Sequence, residues 1–235
     1  MSVTSGPRPG NVADALARTR ARTRARTLVA VALAGVAAQM LATGRPLVDL
    51  VYFTVQSALL LALGTALALV PRLRGSTALA TVRGAATVGS VLAGVVYALA
   101  IAPGEGQGRW LLDEPVAAVA SVLQHLVLPV LAVVVLRRDV LARSPRPFAA
   151  VARRASVWIV WPACWAIGMG LLITLGAATL PYPFLDPSVV GTPRVLVSGA
   201  ILLAVLWSLG VLLQVRSPRR GAETLVSPRK LTDRS

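Results

Sequence analysis

Residues 121–129 read Ser-Val-Leu-Gln-His-Leu-Val-Leu-Pro and lie inside an apolar run over about 116–136. A run of that length spans the hydrocarbon core of a bilayer as one α-helix. His125 is the only histidine of the chain, and it lies near the middle of the run beside Gln124. Ionisable side chains at that depth are costly, usually face the interior of a helix bundle, and mark function. The stretch therefore predicts a membrane span that carries a polar site.

Pro129 adds a second feature to this span. A proline inside a helix has no N–H to donate to the carbonyl four residues before it, and here that carbonyl belongs to His125. We expect the helix to bend at this point and to leave a free acceptor beside the imidazole. The alternative is that His125 only makes a hydrogen bond that holds two helices together.

The composition of the whole chain is that of a membrane protein. Hydrophobic residues make up 56% of the 235 positions and charged residues 14%, and apolar runs of about twenty residues recur. We predict an all-α integral membrane protein, a bundle of six transmembrane helices within residues 27–215. The predicted spans cover about residues 28–42, 47–70, 84–102, 116–136, 155–180 and 195–215.

The positive charge of the chain, formally +15, is distributed as a topology signal. All but Arg45, Arg109 and Arg194 of the 24 Lys and Arg residues fall on one side of the predicted membrane, and the positive-inside rule identifies that side as cytoplasmic. Both termini are then cytoplasmic in a multi-pass protein of the cell membrane. Residues 1–26 are predicted to be a basic, disordered tail and residues 216–235 a basic C-terminal tail, both facing anionic lipid headgroups. A nucleic-acid partner is not expected, because no basic module is interleaved with aromatic residues.

Cofactor and metal chemistry are not expected. Cys164 is the only cysteine and His125 the only histidine. A disulfide within the chain and a Cys/His metal cluster are therefore both excluded. Cys164 lies in a predicted span, and we interpret it as a small packing residue.

Thr54 in the second predicted span and His125 in the fourth come to the same depth. Both spans begin at the outer face, and a rise of 1.5 Å per residue puts both residues roughly 10–14 Å below it. At about 100° per residue, a polar arc continues around the threonine through Asp49, Gln56 and Ser57, which indicates a face turned to protein or water. The alternatives are a threonine hydroxyl bonded to the carbonyl one turn before it and an interfacial carboxylate at Asp49.

The outer loop over residues 181–186, Pro-Tyr-Pro-Phe-Leu-Asp, is rich in proline and aromatic residues. Its rings are predicted to cover the outer mouth of the bundle, with Asp186 reaching polar groups there. The alternative is that Tyr182 and Phe184 lie in the headgroup belt.

Two further span positions carry packing predictions. The Ser90-x-x-x-Gly94 pair in the third span predicts the close approach of another helix backbone. In the fifth span we interpret Trp158 as an interface anchor and Trp161 and Trp165 as packing residues.

Four stretches together resemble the bacterial Pr-six-Pr membrane proteins, which are similar to the eukaryotic androgen-induced and androgen-dependent membrane proteins. They are Tyr52-Phe-Thr-Val-Gln-Ser57, His125-x-x-x-Pro129, the Trp-rich start of the fifth span and Tyr182-Pro-Phe-Leu-Asp186. The eukaryotic proteins are six-helix intramembrane hydrolases of fatty-acid esters of hydroxy fatty acids. The resemblance covers roughly residues 28–215 and implies that Thr54 and His125 are the catalytic pair.

These observations lead to the hypothesis of an intramembrane hydrolase of lipid esters that enter from the outer leaflet. His125 would be the general base for the Thr54 hydroxyl, which would form an acyl-enzyme that water then clears. Asp49, Gln124 or Asp186 would orient the imidazole, and the sequence does not choose among them. The alternatives are a small-molecule or proton-linked transporter that uses the same polar layer, and a structural membrane protein whose polar layer only joins helices.

Overall fold

The computed structural model describes residues 9–102, 114–140, 147–176 and 182–215, which carry helices and no strand. The predicted all-α class is thereby confirmed for this part of the chain. The helices are α1 (Pro9–Thr43), α2 (Pro46–Asp49), α3 (Phe53–Leu69), α4 (Thr77–Val96), α5 (Pro115–Val122), α6 (Leu128–Val135), α7 (Phe148–Thr174), α8 (Pro187–Val190) and α9 (Thr192–Gln214). Three π-helical turns, Tyr97–Ile101, Leu123–Val127 and Leu136–Val140, extend or join them, and a 3-10 turn covers Pro183–Leu185.

Five helical segments in the described ranges are long and apolar enough to cross a membrane. They are Val12–Thr43, Thr77–Leu99, Pro115–Arg138, Phe148–Thr174 and Thr192–Gln214. α3 is a shorter apolar helix, and its 17 residues extend about 25 Å at 1.5 Å per residue. The chain therefore has the helices of a multi-pass membrane protein.

The basic N-terminal segment is helical where it is described. α1 runs without interruption from Pro9 to Thr43, so the prediction that residues 1–26 are disordered is wrong for residues 9–26. Alanine and arginine are strong helix formers, and the hydroxyls of Thr19 and Thr23 donate back to carbonyls one turn earlier. This segment can therefore continue the apolar helix that follows it. Residues 1–8 and the predicted tail at 216–235 lie outside the described ranges.

The second predicted span, 47–70, is divided into two helices. α2 ends at Asp49 and α3 begins at Phe53. Asp49 is only 1% exposed, and the Thr43 hydroxyl at the end of α1 donates to its Oδ2 at 2.5 Å. This bond holds α2 against the end of α1 and leaves α3 to start after a turn.

α4 and α7 begin earlier than predicted. They start at Thr77 and Phe148 rather than near residues 84 and 155, because the arginines in their second turns read as loop residues in the sequence. Ser76 caps the start of α4 by accepting a hydrogen bond from the Leu79 N–H at 3.3 Å.

α7 and α9 pack as antiparallel neighbours at the ends that carry residues 151–158 and 206–214. The Gln214 amide donates to the Val151 carbonyl at 3.2 Å, and Gly210 faces Ala155 so closely that a Cβ would lie 3.2 Å from the alanine Cβ. Trp158, one turn further along, is 1% exposed and lies so close to Gly84 of α4 that a Cβ there would clash with the indole. The interpretation of Trp158 as an interface anchor is therefore wrong, because a helix backbone without a side chain gives the indole an interior place.

Candidate functional site

A cavity of about 580 Å³ lies among α1, α3, α4, α5, α7 and α9. Small-molecule sites typically enclose about 300–1,000 Å³. Thr54 and His125, seventy-one positions apart in the chain, both line this cavity. The other polar residues that line it in the described ranges are Gln39, Tyr52, Tyr97, Ser121, Gln124 and Tyr182.

His125 is held in one tautomer by its own helix. Its Nδ1 lies 3.1 Å from the Ser121 carbonyl oxygen, and a carbonyl can only accept, so Nδ1 carries the proton in the neutral ring. Nε2 then has a free lone pair, and no described residue hydrogen-bonds to it. The ring stacks on Tyr97, with centroids 4.1 Å apart and planes 17° apart. These two contacts fix the orientation of the imidazole and leave Nε2 as a hydrogen-bond acceptor.

The interruption predicted at Pro129 takes the form of a π-helical turn. The Leu128 N–H donates to the Leu123 carbonyl, five residues back. Such a wider turn is found in helices that lack one regular backbone hydrogen bond between residues four apart, and it is frequent at functional sites. The His125 carbonyl points at α4, where a Cβ on Gly94 would lie 2.5 Å from its oxygen. Gly94 thus provides the close backbone approach that the Ser90-x-x-x-Gly94 pair predicts.

Thr54 meets Tyr182 rather than His125. The Tyr182 phenol lies at the start of α3, and burial raises its pKa. Hydrogen bonds to its oxygen from the Thr54 side chain and from the backbone at Phe53 and Thr54 act in the opposite direction. No hydrogen bond joins Thr54 to His125 among the described residues. The alternative bond from the Thr54 hydroxyl to the Leu50 carbonyl is not observed, and the Gln56 amide donates to that carbonyl at 2.6 Å.

Gln124 connects the site to α1. It is buried, and its Nε2 donates to the Gly35 carbonyl at 2.9 Å. Its Oε1 is buried and has no partner among the described residues. Gln124 therefore orients the helix rather than the imidazole, since its polar contact is to α1.

The remaining candidate polar residues do not gather at the cavity. Ser57 is buried against Gly89 of α4, and Asp49 bonds to Thr43. Asp186 caps α8, where its Oδ1 accepts from the Ser188 N–H at 2.8 Å and from the Ser188 hydroxyl at 2.6 Å. These bonds lower the pKa of Asp186. The polar arc predicted around Thr54 assumed one continuous helix, and the turn between α2 and α3 breaks that geometry.

Aromatic rings of the loop after α7 cover one end of the cavity. Tyr182 contacts Tyr52, Trp165 and Phe184 with centroid distances of 6.3, 5.9 and 5.9 Å. The Trp165 indole donates to the Val51 carbonyl at 2.9 Å, which fastens α7 to the turn before α3. Tyr182 and Phe184 line the cavity. This agrees with the prediction that the rings of this loop cover a mouth of the bundle.

Sequence reasoning did not single out Tyr97 or Ser121. Tyr97 lies five residues from the outer end of the third predicted span, about 7.5 Å deep at 1.5 Å per residue, so the count that paired Thr54 with His125 places it about one turn above them. Ser121 precedes His125 by one helical turn, a spacing at which side chains reach backbone carbonyls. Both signals were present in the sequence.

Metal binding has no geometric support in the described ranges, where no group of three His, Cys, Asp or Glu side chains comes together. Cys164 is exposed on α7. Contrary to our prediction, it does not pack in the interior.

The chain matches no protein-family model, no curated protein and no solved structure, and its resemblance to the Pr-six-Pr proteins stays a prediction.

Proposed function

We propose that the protein is an intramembrane hydrolase of lipid esters in which Thr54 and His125 form the reacting pair. The observation that carries this proposal is that both side chains line one cavity in a bundle of apolar helices. The fixed tautomer of His125, with Nδ1 bonded to the Ser121 carbonyl, supports its role as the base.

The reaction would proceed through an acyl-enzyme. The Thr54 oxygen attacks the ester carbonyl carbon while its proton moves to Nε2 of His125, and the resulting tetrahedral intermediate collapses as the imidazolium returns that proton to the departing alcohol oxygen. A water molecule, deprotonated by the same nitrogen, then attacks the acyl carbon, the bond from that carbon to the Thr54 oxygen breaks as the imidazolium returns the proton to this oxygen, and the fatty acid is released. Each step uses one proton that His125 takes and gives back.

Thr54 must change partners before it can react. In the resting structure its hydroxyl bonds to the Tyr182 phenol oxygen. Hydrogen bonds of catalytic pairs are often long or absent without substrate and form in the complex. We infer that substrate binding displaces Tyr182 from Thr54 and brings the hydroxyl to His125.

Six membrane crossings with both termini in the cytoplasm belong to the same proposal. α2 and α3 together cover residues 46–69, a length that spans a bilayer, and the arginines then collect on the cytoplasmic face against anionic headgroups in the cell membrane. A transporter would need a path to the cytoplasmic end. The buried apolar residues Leu61, Ala86, Leu128 and Ala132, which form part of one hydrophobic cluster, favour a closed site instead.

Fluorophosphonate labelling of the purified protein tests the nucleophile. We expect labelling of the wild type and none of Thr54→Ala. The matched control is Ser57→Ala, which removes a hydroxyl from the same helix at a position packed on Gly89 and away from the cavity, and it should label normally. Labelling of Thr54→Ala at the wild-type level would exclude threonine as the nucleophile.

His125→Ala tests the base. We expect ester hydrolysis to fall by about 100-fold or more, the usual contribution of a general base. The variant should still accumulate in the membrane, since the hydrogen bond of the imidazole is to the Ser121 carbonyl of its own helical segment and does not join two helices. If His125→Ala fails to accumulate while Gln124→Leu does accumulate, the imidazole is a structural group and the structural alternative is favoured.

A further inference from the structure

We propose that the cavity opens sideways to the lipid between α7 and α9, and that it binds an uncharged lipid with a single long hydrocarbon chain. The inference that this lipid is an ester rests on the proposed hydrolase function. The side opening and the exclusion of charged lipids rest on the geometry of the cavity alone.

α7 and α9 separate along their length. They touch at Ala155 and Gly210, where a Cβ on the glycine would be only 3.2 Å from its neighbour. Three turns earlier in α9, a Cβ on Gly199 would meet no atom within 4 Å, although Gly199 lines the cavity. Pro162 lies inside α7 between these two levels and provides the cause of a bend.

The residues at the wide end of this gap face both the cavity and the outside. Ile167 of α7 is 73% exposed and Leu203 of α9 is 43% exposed, and both line the cavity. Both helices are apolar enough to cross a membrane, so their outer surfaces lie against lipid tails. A gap that has apolar residues on both sides and lies between two such helices opens to the hydrocarbon and not to water.

The interior of the cavity excludes charged ligands. None of its lining residues in the described part of the chain is Asp, Glu, Lys or Arg. A buried carboxylate or phosphate without a cationic partner is strongly disfavoured. Gln124 Oε1, which has no partner among the described residues, and Nε2 of His125 are uncharged acceptors. The hydroxyls of Tyr52 and Ser121, which also line the cavity, can donate. A neutral polar group fits this wall.

The distribution of polar and apolar lining residues indicates where the two ends of the ligand lie. The polar residues come from α1, α3, α5, the π-helical turns and the loop after α7, whereas α7 and α9 themselves supply mostly apolar ones, among them Ala163, Ile167, Leu202, Leu203 and Leu206. The polar group of the ligand therefore lies beside His125, and its hydrocarbon chain extends out between α7 and α9 toward the lipid. A single opening between one pair of helices fits one hydrocarbon chain.

Photocrosslinking in phosphatidylcholine nanodiscs tests this inference. The probe is a palmitate methyl ester with a diazirine near the end of its chain, and the comparison probe is the corresponding free acid at about pH 9, where the acid is ionised. We expect the ester to label α7 and α9 near Ile167 and Leu203, and the free acid to label about tenfold less. Equal labelling by both probes, or ester labelling on other helices only, would overturn the proposal.

Two matched pairs of variants locate the opening. Gly199→Leu fills the gap and should reduce ester labelling by about tenfold, whereas Gly168→Leu, on α7 with the same open space around it but outside the cavity lining, should label as the wild type. Leu203→Trp and its control Leu196→Trp, an exposed α9 position away from the cavity, repeat the comparison if Gly199→Leu does not fold. Unchanged labelling of both blocking variants would contradict the opening.

Hydrolysis and labelling, both measured on the wild type with the same ester, separate this inference from the proposed hydrolysis. If the wild type is labelled at the gap but hydrolyses no ester, the hydrolase proposal fails and the binding site stands. If the wild type hydrolyses esters without labelling at the gap, the opening proposed here is wrong.

Discussion

Tyr182 is the residue through which the loop after α7 holds the start of α3. Its phenol oxygen accepts hydrogen bonds from the Thr54 side chain and from nearby backbone, at a helix end where backbone N–H groups have no partner within the helix. We expect Tyr182→Phe to lower the free energy of unfolding by about 1 kcal/mol, the usual net contribution of such a bond. Thermal unfolding in detergent measures this as a lower midpoint.

Tyr52→Phe is the matched control for that measurement. The Tyr52 ring belongs to the same aromatic contact, 6.3 Å from Tyr182, yet its hydroxyl has no hydrogen-bond partner among the described residues. Its removal should leave the midpoint unchanged. Equal effects of the two substitutions would mean that ring packing, and not the phenol at Thr54, fastens the loop.

At the residue scale, the sequence predicted how deep Thr54 and His125 lie in the membrane, but it did not predict where the Thr54 side chain points. Counting residues from the span ends brought Thr54 and His125 to one layer, and both line the same cavity. The partner of Thr54 was not predicted, because Tyr182 lies in a loop whose path no periodic pattern describes. Ser121, the partner of His125, was predictable from the sequence, since it lies one turn earlier in the same helical segment.

At the element scale, Gly94 determines how closely α4 approaches the π-helical turn that carries His125. An alanine Cβ there would lie 2.5 Å from the His125 carbonyl oxygen and 3.4 Å from the Pro129 ring, and neither group can rotate away. We expect Gly94→Ala to destabilise the protein by about 1–3 kcal/mol, the usual effect of overpacking. Ester hydrolysis should fall with it, because the turn that holds the imidazole must shift.

Gly170→Ala provides the comparison. Gly170 lies within α7, and a Cβ there meets no atom within 4 Å. Since alanine is favoured over glycine inside a helix by about 1 kcal/mol, this variant should unfold at the same temperature as the wild type or higher. A Gly94→Ala protein as stable as Gly170→Ala would show that α4 and the turn can separate without loss.

Helix positions were predictable from apolar runs, whereas helix ends were not. The sequence predicted the apolar parts of the five long helices. It did not predict the turn between α2 and α3, because the residues around Asp49 are nearly as apolar as a span and the Thr43–Asp49 bond depends on tertiary placement. It also placed the start of α1 too late, since arginine signals a membrane boundary but does not end a helix.

At the scale of the whole molecule, successive helices alternate in direction between two ends of the bundle. Arg137, at the end of the α5–α6 span, donates to the Val215 carbonyl at the end of α9 at 3.1 Å, so these two ends coincide. The loop between α3 and α4 belongs to that end, and residues 182–191 belong to the other. The positive-inside rule, applied to the arginines and lysines, predicts that the first end is cytoplasmic.

Cysteine labelling of intact cells tests this orientation. In a Cys164→Ala background, which removes the one native thiol, Val189→Cys lies at an exposed position of α8, and Gly75→Cys lies in the α3–α4 loop, where a Cβ meets no atom within 4 Å. A membrane-impermeant maleimide should label Val189→Cys in intact cells and Gly75→Cys only after permeabilisation. The reverse pattern would place the arginines outside. It would also put the mouth near Tyr182 on the cytoplasmic side, and substrate would then enter from the inner leaflet.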